Sequence, residues 1–347
     1  MKKYISCKYL MICVLLLAVL TGCSDEYDYY DGQDGYYGDD YCYEEDGDYV
    51  DDYYYDEDCD YENDGYYGED GYYEEDYYET YMPENTNLSR QDYPLGTCGE
   101  LEGTTIVASI YLNDVNTSWE DNDAQVIYDG LKSIGIATDW IEKSVATYGC
   151  NSKFIYDWSN NEDLYYAGTV DVDMLDVDKN GDDLDYATWQ FIDDNIDSKA
   201  LLQKYDADNI VYLFFINTPK SSDVTSCTRN YYEDMPYPYE MCYMYMFCDG
   251  EEEVPAAFAH EILHTFGAPD LYREDTYGDN YGVSKELINE LERSASNDIM
   301  YTTYDAYSQV AHYDKITNDF TDVDAYYVGL IDSCDFVNEW GLGASQH

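Results

Sequence analysis

Two histidines four residues apart constrain this chain more than any other feature of its sequence. Residues 260–270 read His-Glu-Ile-Leu-His-Thr-Phe-Gly-Ala-Pro-Asp. On a helix, His260 and His264 share one face, where their imidazoles can bind a single metal ion beside Glu261. Gly267 can adopt a positive φ and end the helix, and the proline two residues later cannot continue it. The pattern therefore predicts a helix that stops here and a chain that turns back towards the histidines.

Asp270 is the residue that such a turn would return to the two imidazoles. The whole pattern resembles the motif of the metzincin zinc peptidases, HExxHxxGxxH, in the HExxHxxGxxD form of the snapalysin and immune-inhibitor-A type branches. The resemblance implies a Zn²⁺ site made by His260, His264 and Asp270. It also implies that Glu261 is the catalytic general base, which activates a zinc-bound water for peptide hydrolysis.

The same resemblance predicts a methionine turn beneath the metal, further along the chain. Residues 297–301 fit this turn, with Met300 as the structural methionine thirty residues after Asp270. Several metzincins have an oxyanion-binding tyrosine two residues after this methionine, but that position is Thr302 here. Tyr304 is the candidate that remains for the oxyanion role.

Other third ligands stay open at this point. In a second large group of HExxH enzymes, the third ligand is a glutamate on a later helix. Glu286 and Glu290 lie in such a predicted helix, and His312 is a further candidate. The spacing of Gly267 and Asp270 favours Asp270 over all three.

The acidic balance of the chain excludes some classes of partner. The 347 residues include 76 acidic and 16 basic side chains, which gives a formal net charge of -60. Such a chain repels phosphate backbones, so we expect no nucleic-acid partner. Divalent cations and a protein or peptide substrate, especially a basic one, match this charge.

The first 22 residues have the pattern of a bacterial lipoprotein signal peptide. Lys2 and Lys3 precede an apolar run at 10–20, which is shorter than the roughly 20 residues that span a bilayer. Residues 20–23, Leu-Thr-Gly-Cys, then resemble a lipobox, which implies cleavage before Cys23 and attachment of lipid to it. We expect an extracytoplasmic lipoprotein, anchored in the membrane at the bacterial cell surface. An uncleaved anchor or a plain secretory signal is the alternative.

Residues 23–94 are expected to form a disordered tether. From residue 25 to 81 the chain is nearly all Tyr, Asp, Glu and Gly and has no Lys or Arg. This composition offers almost no aliphatic side chains for a core, and the carboxylates repel one another. A brush that binds cations or aromatic ligands is the alternative interpretation.

Export would place the cysteines in an oxidising compartment. Three of the eleven, Cys7, Cys13 and Cys23, belong to the signal or the lipid site, which leaves eight. An even number outside the cytoplasm predicts disulfide bonds, although the sequence leaves their pairing open. A role for Cys98 as a thiolate cap on the zinc is a less favoured alternative.

Residues 95–347 are expected to fold as one zinc metallopeptidase domain of the α+β class. The resemblance implies a metzincin-like zincin domain with a twisted mixed sheet, a long helix and an active-site helix. Apolar periodicity predicts strands at 104–112, 153–158, 168–172, 209–217 and, at the sheet edge, 241–248. It predicts further helices at 121–148, 186–205 and 284–293.

A calcium loop is a second candidate metal site. Residues 176–182 place oxygen ligands at alternate positions and a glycine at the turn, as calcium loops do. The candidate Ca²⁺ ligands are Asp176, Asp178, Asn180 and Asp182. The twelfth position is Ala187 rather than a bidentate glutamate, so nearby carboxylates at 171, 173, 183 or 185 would have to substitute. An exposed acidic turn is the alternative.

Three functions are compatible with these patterns. The first is a surface-tethered zinc endopeptidase in which Glu261 activates a zinc-bound water. The second is a catalytically inactive zinc- or calcium-binding surface protein. The third is an acidic calcium-binding or adhesive wall protein in which the zinc motif is incidental. The intact Glu261 favours the first over the second.

Overall fold

The computed structural model of the protein describes residues 96–175, 177–229, 238–272 and 283–341. All of them belong to the unit Thr80–His347. Within these ranges, the side chains at 121, 177–180 and 182 are not described. The predicted signal peptide, Cys23, the predicted tether and Asp176 lie outside the described residues.

A central, mostly parallel sheet organises the fold. Its strands are β1 (Gly103–Asn113), β2 (Ser152–Ile155), β3 (Tyr165–Thr169), β4 (Asn209–Ile216), β5 (Cys227–Arg229) and β6 (Met241–Tyr245). The strand order is β2-β1-β4-β6-β5, and β3 also pairs with β1. A separate two-stranded hairpin consists of β7 (Phe247–Cys248) and β8 (Glu251–Glu252).

Strand direction divides the sheet into a parallel centre and one antiparallel edge. β1 pairs in parallel with β2, β3 and β4, and β4 pairs in parallel with β6. Ile110, Phe214 and Tyr243 are therefore in register across three strands. β5 runs antiparallel to β6 and forms the edge. The apolar run of β4 fits its place between two parallel neighbours, because strands buried on both faces lack polar alternation.

Seven helices lie in the described part of the chain. They are α1 (Ala124–Thr147), α2 (Val177–Asn195), α3 (Ser198–Tyr205), α4 (Pro255–His264), α5 (Lys285–Ser294), α6 (Asp322–Tyr327) and α7 (Asp335–Trp340). Short 3-10 turns at Asp121–Asp123 and Glu162–Leu164 precede α1 and β3. None of the helices in this part of the chain has both the length and the apolar character needed to cross a bilayer.

Helices pack on both faces of the sheet. Neighbouring residues on a strand point to opposite faces. On β6, the Cys242 thiol reaches the main chain of α4 at Glu261, whereas the Tyr243 hydroxyl contacts Thr188 and Asp185 on α2. α4 and α2 therefore cover opposite faces, and α1 packs beside α4. This mixture of helices and a mostly parallel mixed sheet agrees with the predicted α+β class.

Three of the predicted elements were wrong in detail. The helix predicted at 186–205 is two helices, because Asp197 caps a new one by accepting a hydrogen bond from Ala200 N. The first of the two also begins earlier, at Val177. Met241–Tyr245 is an interior strand rather than the predicted edge, because the three-residue strand β5 covers it. The third strand lies at Tyr165–Thr169 instead of 168–172.

The disulfide prediction is not met among the described residues. All six cysteines there are free, namely Cys98, Cys150, Cys227, Cys242, Cys248 and Cys334. The buried thiols make other contacts: Cys98 Sγ donates to Ile210 O at 3.5 Å, and Cys242 Sγ donates to Glu261 O at 3.4 Å. Burial raises the pKa of Cys98 to about 12, and Cys98 does not belong to the group of side chains close enough to hold a metal ion.

The buried face of α1 supplies the first test of this architecture. Ile134 is fully buried on that face, whereas Ile136 is partly exposed beside a surface groove. We expect Ile134→Ala to lower the free energy of unfolding by about 2–5 kcal/mol, since it removes apolar contacts and leaves a cavity. Ile136→Ala is the matched control and should cost clearly less. Urea denaturation of both variants measures the difference, and equal losses would contradict this placement of α1.

Candidate metal centre

The helix α4 carries the first two site histidines through the interior of the protein. It begins with Pro255 at its first position, where a missing N–H costs nothing. All ten of its residues are buried, because it packs against α1 on one side and against β5 and β6 on the other. A helix enclosed in this way holds its histidines and Glu261 in one defined orientation.

The end of α4 turns the chain back as the sequence predicts. Gly267 has a φ of 96°, in the left-handed region that glycine tolerates without strain. Gly267 N donates to His264 O at 2.8 Å, and Ala268 N donates to Leu263 O at 3.2 Å. This pair of bonds is the Schellman motif that commonly ends helices. Asp270 comes three residues after Gly267 and lies beside both histidines.

Three donor atoms converge at this point. His260 Nε2 lies 3.1 Å from His264 Nε2 and 3.1 Å from Asp270 Oδ1. His264 Nε2 lies 3.2 Å from the same carboxylate oxygen. Among the described residues, these three side chains form the one group of at least three His, Cys, Asp or Glu residues close enough to hold a metal ion.

Backbone carbonyls determine which ring nitrogens face the cluster. His260 Nδ1 lies 3.0 Å from Ile299 O, and His264 Nδ1 lies 2.7 Å from Ala268 O. A carbonyl oxygen only accepts, so both Nδ1 atoms carry the hydrogen. In the neutral rings, both Nε2 lone pairs then point into the cluster. A hydrogen bond from the other ring nitrogen to a carbonyl is the usual way in which proteins orient metal-binding histidines.

This donor set fits a zinc ion. Three lone-pair atoms within 3.2 Å of one another repel unless a cation lies among them. These separations leave a point roughly 2 Å from each atom, which is the length of Zn–N and Zn–O bonds. Two imidazole nitrogens and one carboxylate are also a ligand set that zinc accepts in catalytic sites.

In the absence of a metal, a proton takes the place of the cation. Burial disfavours the charged form of His264, but the Asp270 carboxylate outweighs it and raises the pKa of His264 to about 9. Burial likewise opposes ionisation of Asp270, but the two imidazoles hold its pKa well below the usual value. The charge of Glu261 also raises the pKa of His264, which places this carboxylate within electrostatic range of the site.

Glu261 is held by the edge strand. Thr228 Oγ1 on β5 lies 2.8 Å from Glu261 Oε2 and 3.1 Å from Glu261 O, so its hydroxyl can donate to the carboxylate. The side chain of Glu261 is buried, with 4% of the residue exposed. Sequence reasoning missed Thr228, because nothing local marks a threonine that reaches the site only through strand pairing.

The predicted methionine turn lies against the site. Met300 is fully buried, and its carbonyl oxygen accepts a hydrogen bond from Leu271 N at 3.0 Å, one residue after Asp270. The preceding carbonyl, Ile299 O, is the partner of His260 Nδ1. The turn therefore contacts the site through its backbone on both sides of the cluster.

The other ligand candidates lie elsewhere. Glu290 forms an ion pair with Arg293, and Glu286 is exposed on the same helix. Neither of them, nor His312, belongs to the metal-competent cluster. Tyr304 is 45% exposed, and its pKa is raised by partial burial and by the carboxylates of the β7–β8 hairpin region, Glu253 first.

The calcium hypothesis concerns a segment whose side chains lie largely outside the described residues. The main chain from Val177 onwards is helical, which differs from the loop that the motif predicts. Of the substitute carboxylates, Asp185 instead accepts hydrogen bonds from Arg229 Nε and from the Tyr243 hydroxyl. Those at 171, 173 and 183 line a surface cavity of about 520 Å³. Calcium binding stays a prediction.

The comparisons with known proteins identify no family for this chain. No protein-family model, no curated protein and no solved structure matches the chain. The resemblance to metzincins is confined to residues 260–270 and 297–301. In the structure Ile299 O lies 3.0 Å from His260 Nδ1, and Met300 O accepts a hydrogen bond from Leu271 N, the residue after the first segment.

Metal and proton should compete for the cluster. Because the pKa of His264 is about 9 without metal, zinc binding below that pH must displace a proton. We expect zinc affinity to rise with pH by up to about tenfold per unit until pH 9 and then to level off. Isothermal titration calorimetry in buffers of different ionisation enthalpy counts the released proton. Binding heats that do not depend on the buffer would contradict this account.

Removal of the Asp270 carboxylate tests whether this residue is the third metal ligand. We expect Asp270→Ala to weaken zinc binding by about 100-fold or more, beyond the 10–100-fold typical of second-shell changes. Glu290→Ala is the matched control, because it removes a rival carboxylate that lies in an exposed ion pair. Competition with a chromogenic chelator measures both affinities. A larger loss in the Glu290 variant would reassign the third ligand.

Proposed function

We propose that this protein is a zinc-dependent endopeptidase with a metzincin-like catalytic domain, tethered through lipid on Cys23 to the outer face of a bacterial membrane. The observation that carries the proposal is the convergence of His260 Nε2, His264 Nε2 and Asp270 Oδ1, with Glu261 beside them on the same helix. The methionine turn that packs against this cluster supports the same assignment.

His260, His264 and Asp270 would hold the zinc. When bound, zinc supplies a Lewis acid that polarises a peptide carbonyl and makes water more acidic. With zinc bound, both Nε2 lone pairs would be used by the metal, while the Nδ1 hydrogens would stay directed to Ala268 O and Ile299 O and keep the rings in place. The fixed rings therefore do not need to reorganise during the reaction, which is the condition for electrostatic catalysis.

Glu261 moves the proton in this mechanism. Its carboxylate accepts a proton from the attacking water as the water oxygen bonds to the peptide carbonyl carbon. The same proton then passes to the amide nitrogen as the C–N bond breaks, so Glu261 returns to its ionised form. The Thr228 hydroxyl at Oε2 holds the carboxylate in place and leaves Oε1 to exchange the proton.

The edge strand provides a place for the substrate. β5 is an antiparallel edge of the sheet, and Thr228 in its centre contacts Glu261. An extended peptide that paired with β5 would pass the catalytic carboxylate, as in other cases of β-strand addition. The acidic character of the chain favours basic peptides at this edge.

A metal-binding surface protein without turnover is the second candidate. Its support is the burial of the site, since His260, Glu261 and His264 are each only 4% exposed. Structural zinc sites are closed, whereas catalytic ones keep an open position for water and substrate. A calcium-binding role of the 176–182 segment would belong to this candidate as well.

One assay separates these functions. The full chain is incubated with casein, with and without a zinc chelator, beside Glu261→Gln. We expect chelator-sensitive cleavage in the wild type and a rate about 10²–10⁴-fold lower in the variant, because only the general base is lost. Metal analysis is the control, since the variant should retain zinc.

The other outcomes are equally informative. Stoichiometric zinc without cleavage in the wild type would favour the inactive metal-binding protein. A chain that binds no zinc at all would leave the motif incidental and end both proposals.

A further inference from the structure

Two buried carboxyl groups face each other beneath the methionine turn. Asp298 lies in that turn and is fully buried, and Asp324 in α6 is 1% exposed. Both carboxyls accept hydrogen bonds from the same residue, Thr321, and the charge of Asp298 acts on the Asp324 carboxyl. No Lys or Arg in the described part of the chain forms an ion pair with either of them. Two adjacent, unpaired negative charges in the interior would be very costly.

The hydrogen bonds around the pair show where a proton is needed. Asp298 Oδ1 accepts from Met300 N at 2.8 Å, and Asp298 Oδ2 accepts from Thr321 Oγ1 at 2.7 Å. Asp324 Oδ2 accepts from Thr321 N at 2.8 Å. Of the four oxygens of these two carboxyl groups, only Asp324 Oδ1 is buried and receives no hydrogen bond. A hydrogen on this atom would both remove the charge and supply the missing bond.

We propose that Asp324 is a neutral carboxylic acid at neutral pH, and that its Oδ1–H donates to Asp298 and so holds the methionine turn against α6. Asp324 is thereby a positioning residue for the metal site. Asp298 binds Met300 N, and the carbonyl between them, Ile299 O, orients His260. The inference rests on the metal site of the proposed function but not on peptide hydrolysis.

The groups that surround Asp324 agree with a retained proton. Asp298 faces it from the turn, Thr321 faces it from the start of α6, and Tyr148 at the end of α1 lies within electrostatic range. Burial and then the charge of Asp298 raise the pKa of Asp324 well above its usual value. Burial also raises the pKa of Asp298.

The sign of the effect on stability follows from this arrangement. The folded protein keeps a proton that the unfolded chain releases near pH 4. Its contribution to stability is therefore complete below that pH and declines as pH rises towards the folded pKa. A neutral amide at position 324 donates to Asp298 at every pH and should escape this decline.

The test compares Asp324→Asn with wild type between pH 5 and 9, using urea denaturation of the full chain. We expect the variant to be the more stable protein at pH 8, with an advantage in the unfolding constant that grows with pH by up to tenfold per unit. Asp322→Asn is the matched control: it removes a carboxylate from the exposed face of the same helix and should give no such growing advantage. Equal pH dependence in all three proteins would overturn the proposal.

Two further measurements keep the test decisive if the variant folds poorly. Infrared spectra of wild type with isotopically labelled Asp should show the carbonyl band of a buried, protonated carboxyl at pH 7. Its absence would overturn the proposal without any variant. For the positioning role, Asp324→Ala should lose about tenfold or more in zinc affinity, whereas Asp324→Asn should retain it. Equal loss in both would overturn that role. None of these measurements depends on casein cleavage, so a failed peptidase assay leaves them intact.

Discussion

The reversal of the chain at Gly267 is the constraint on which the metal site depends. A φ of 96° at this residue lets the helix close with its Schellman bonds and places Asp270 beside both imidazoles within three residues. A side chain at position 267 would strain the backbone there. The same turn exposes Ala268 O to His264 Nδ1, so that one local conformation places the third candidate ligand and also orients the second.

The opposite side of the site depends on a longer chain of contacts. Ile299 O orients His260 and belongs to the methionine turn, which Asp298 ties to Thr321 at the start of α6. Buried polar groups at the start of α6 therefore stabilise the methionine turn, in addition to apolar packing. Such networks are stable only when every member has a partner. A proton on Asp324 would meet this requirement, because it gives the one unpaired oxygen of the two carboxyl groups a hydrogen bond.

Much of this arrangement could be predicted from the sequence, and the failures have a physical cause. His260, His264, Gly267 and Asp270 lie within eleven residues, so helical spacing and turn chemistry were sufficient. The apolar run of β4 also identified a buried strand. Thr228 and Ile299 lie 33 and 39 residues from their partners and reach the site only through tertiary structure. The three residues of β5 are too few to show a periodicity, so the sequence predicts β6 as the edge strand. The sequence predicts one helix at 186–205 and not the cap at Asp197, because the helical spacing of apolar residues continues on both sides of this residue.

The burial of Glu261 bears on whether the metal site is catalytic or only structural. A carboxylate that is 4% exposed costs desolvation energy unless hydrogen bonds or opposite charge stabilise it. A structural zinc site would gain nothing from such a group, because backbone carbonyls already orient both histidines without it. The protein nevertheless places Glu261 beside the ligands and has a threonine on the edge strand that binds it. Departures from low-cost packing of this kind are expected at functional sites. On the proposed function, the low exposure describes the protein before a substrate would add to the edge of the sheet. A purely structural role gives no reason for a carboxylate at this position.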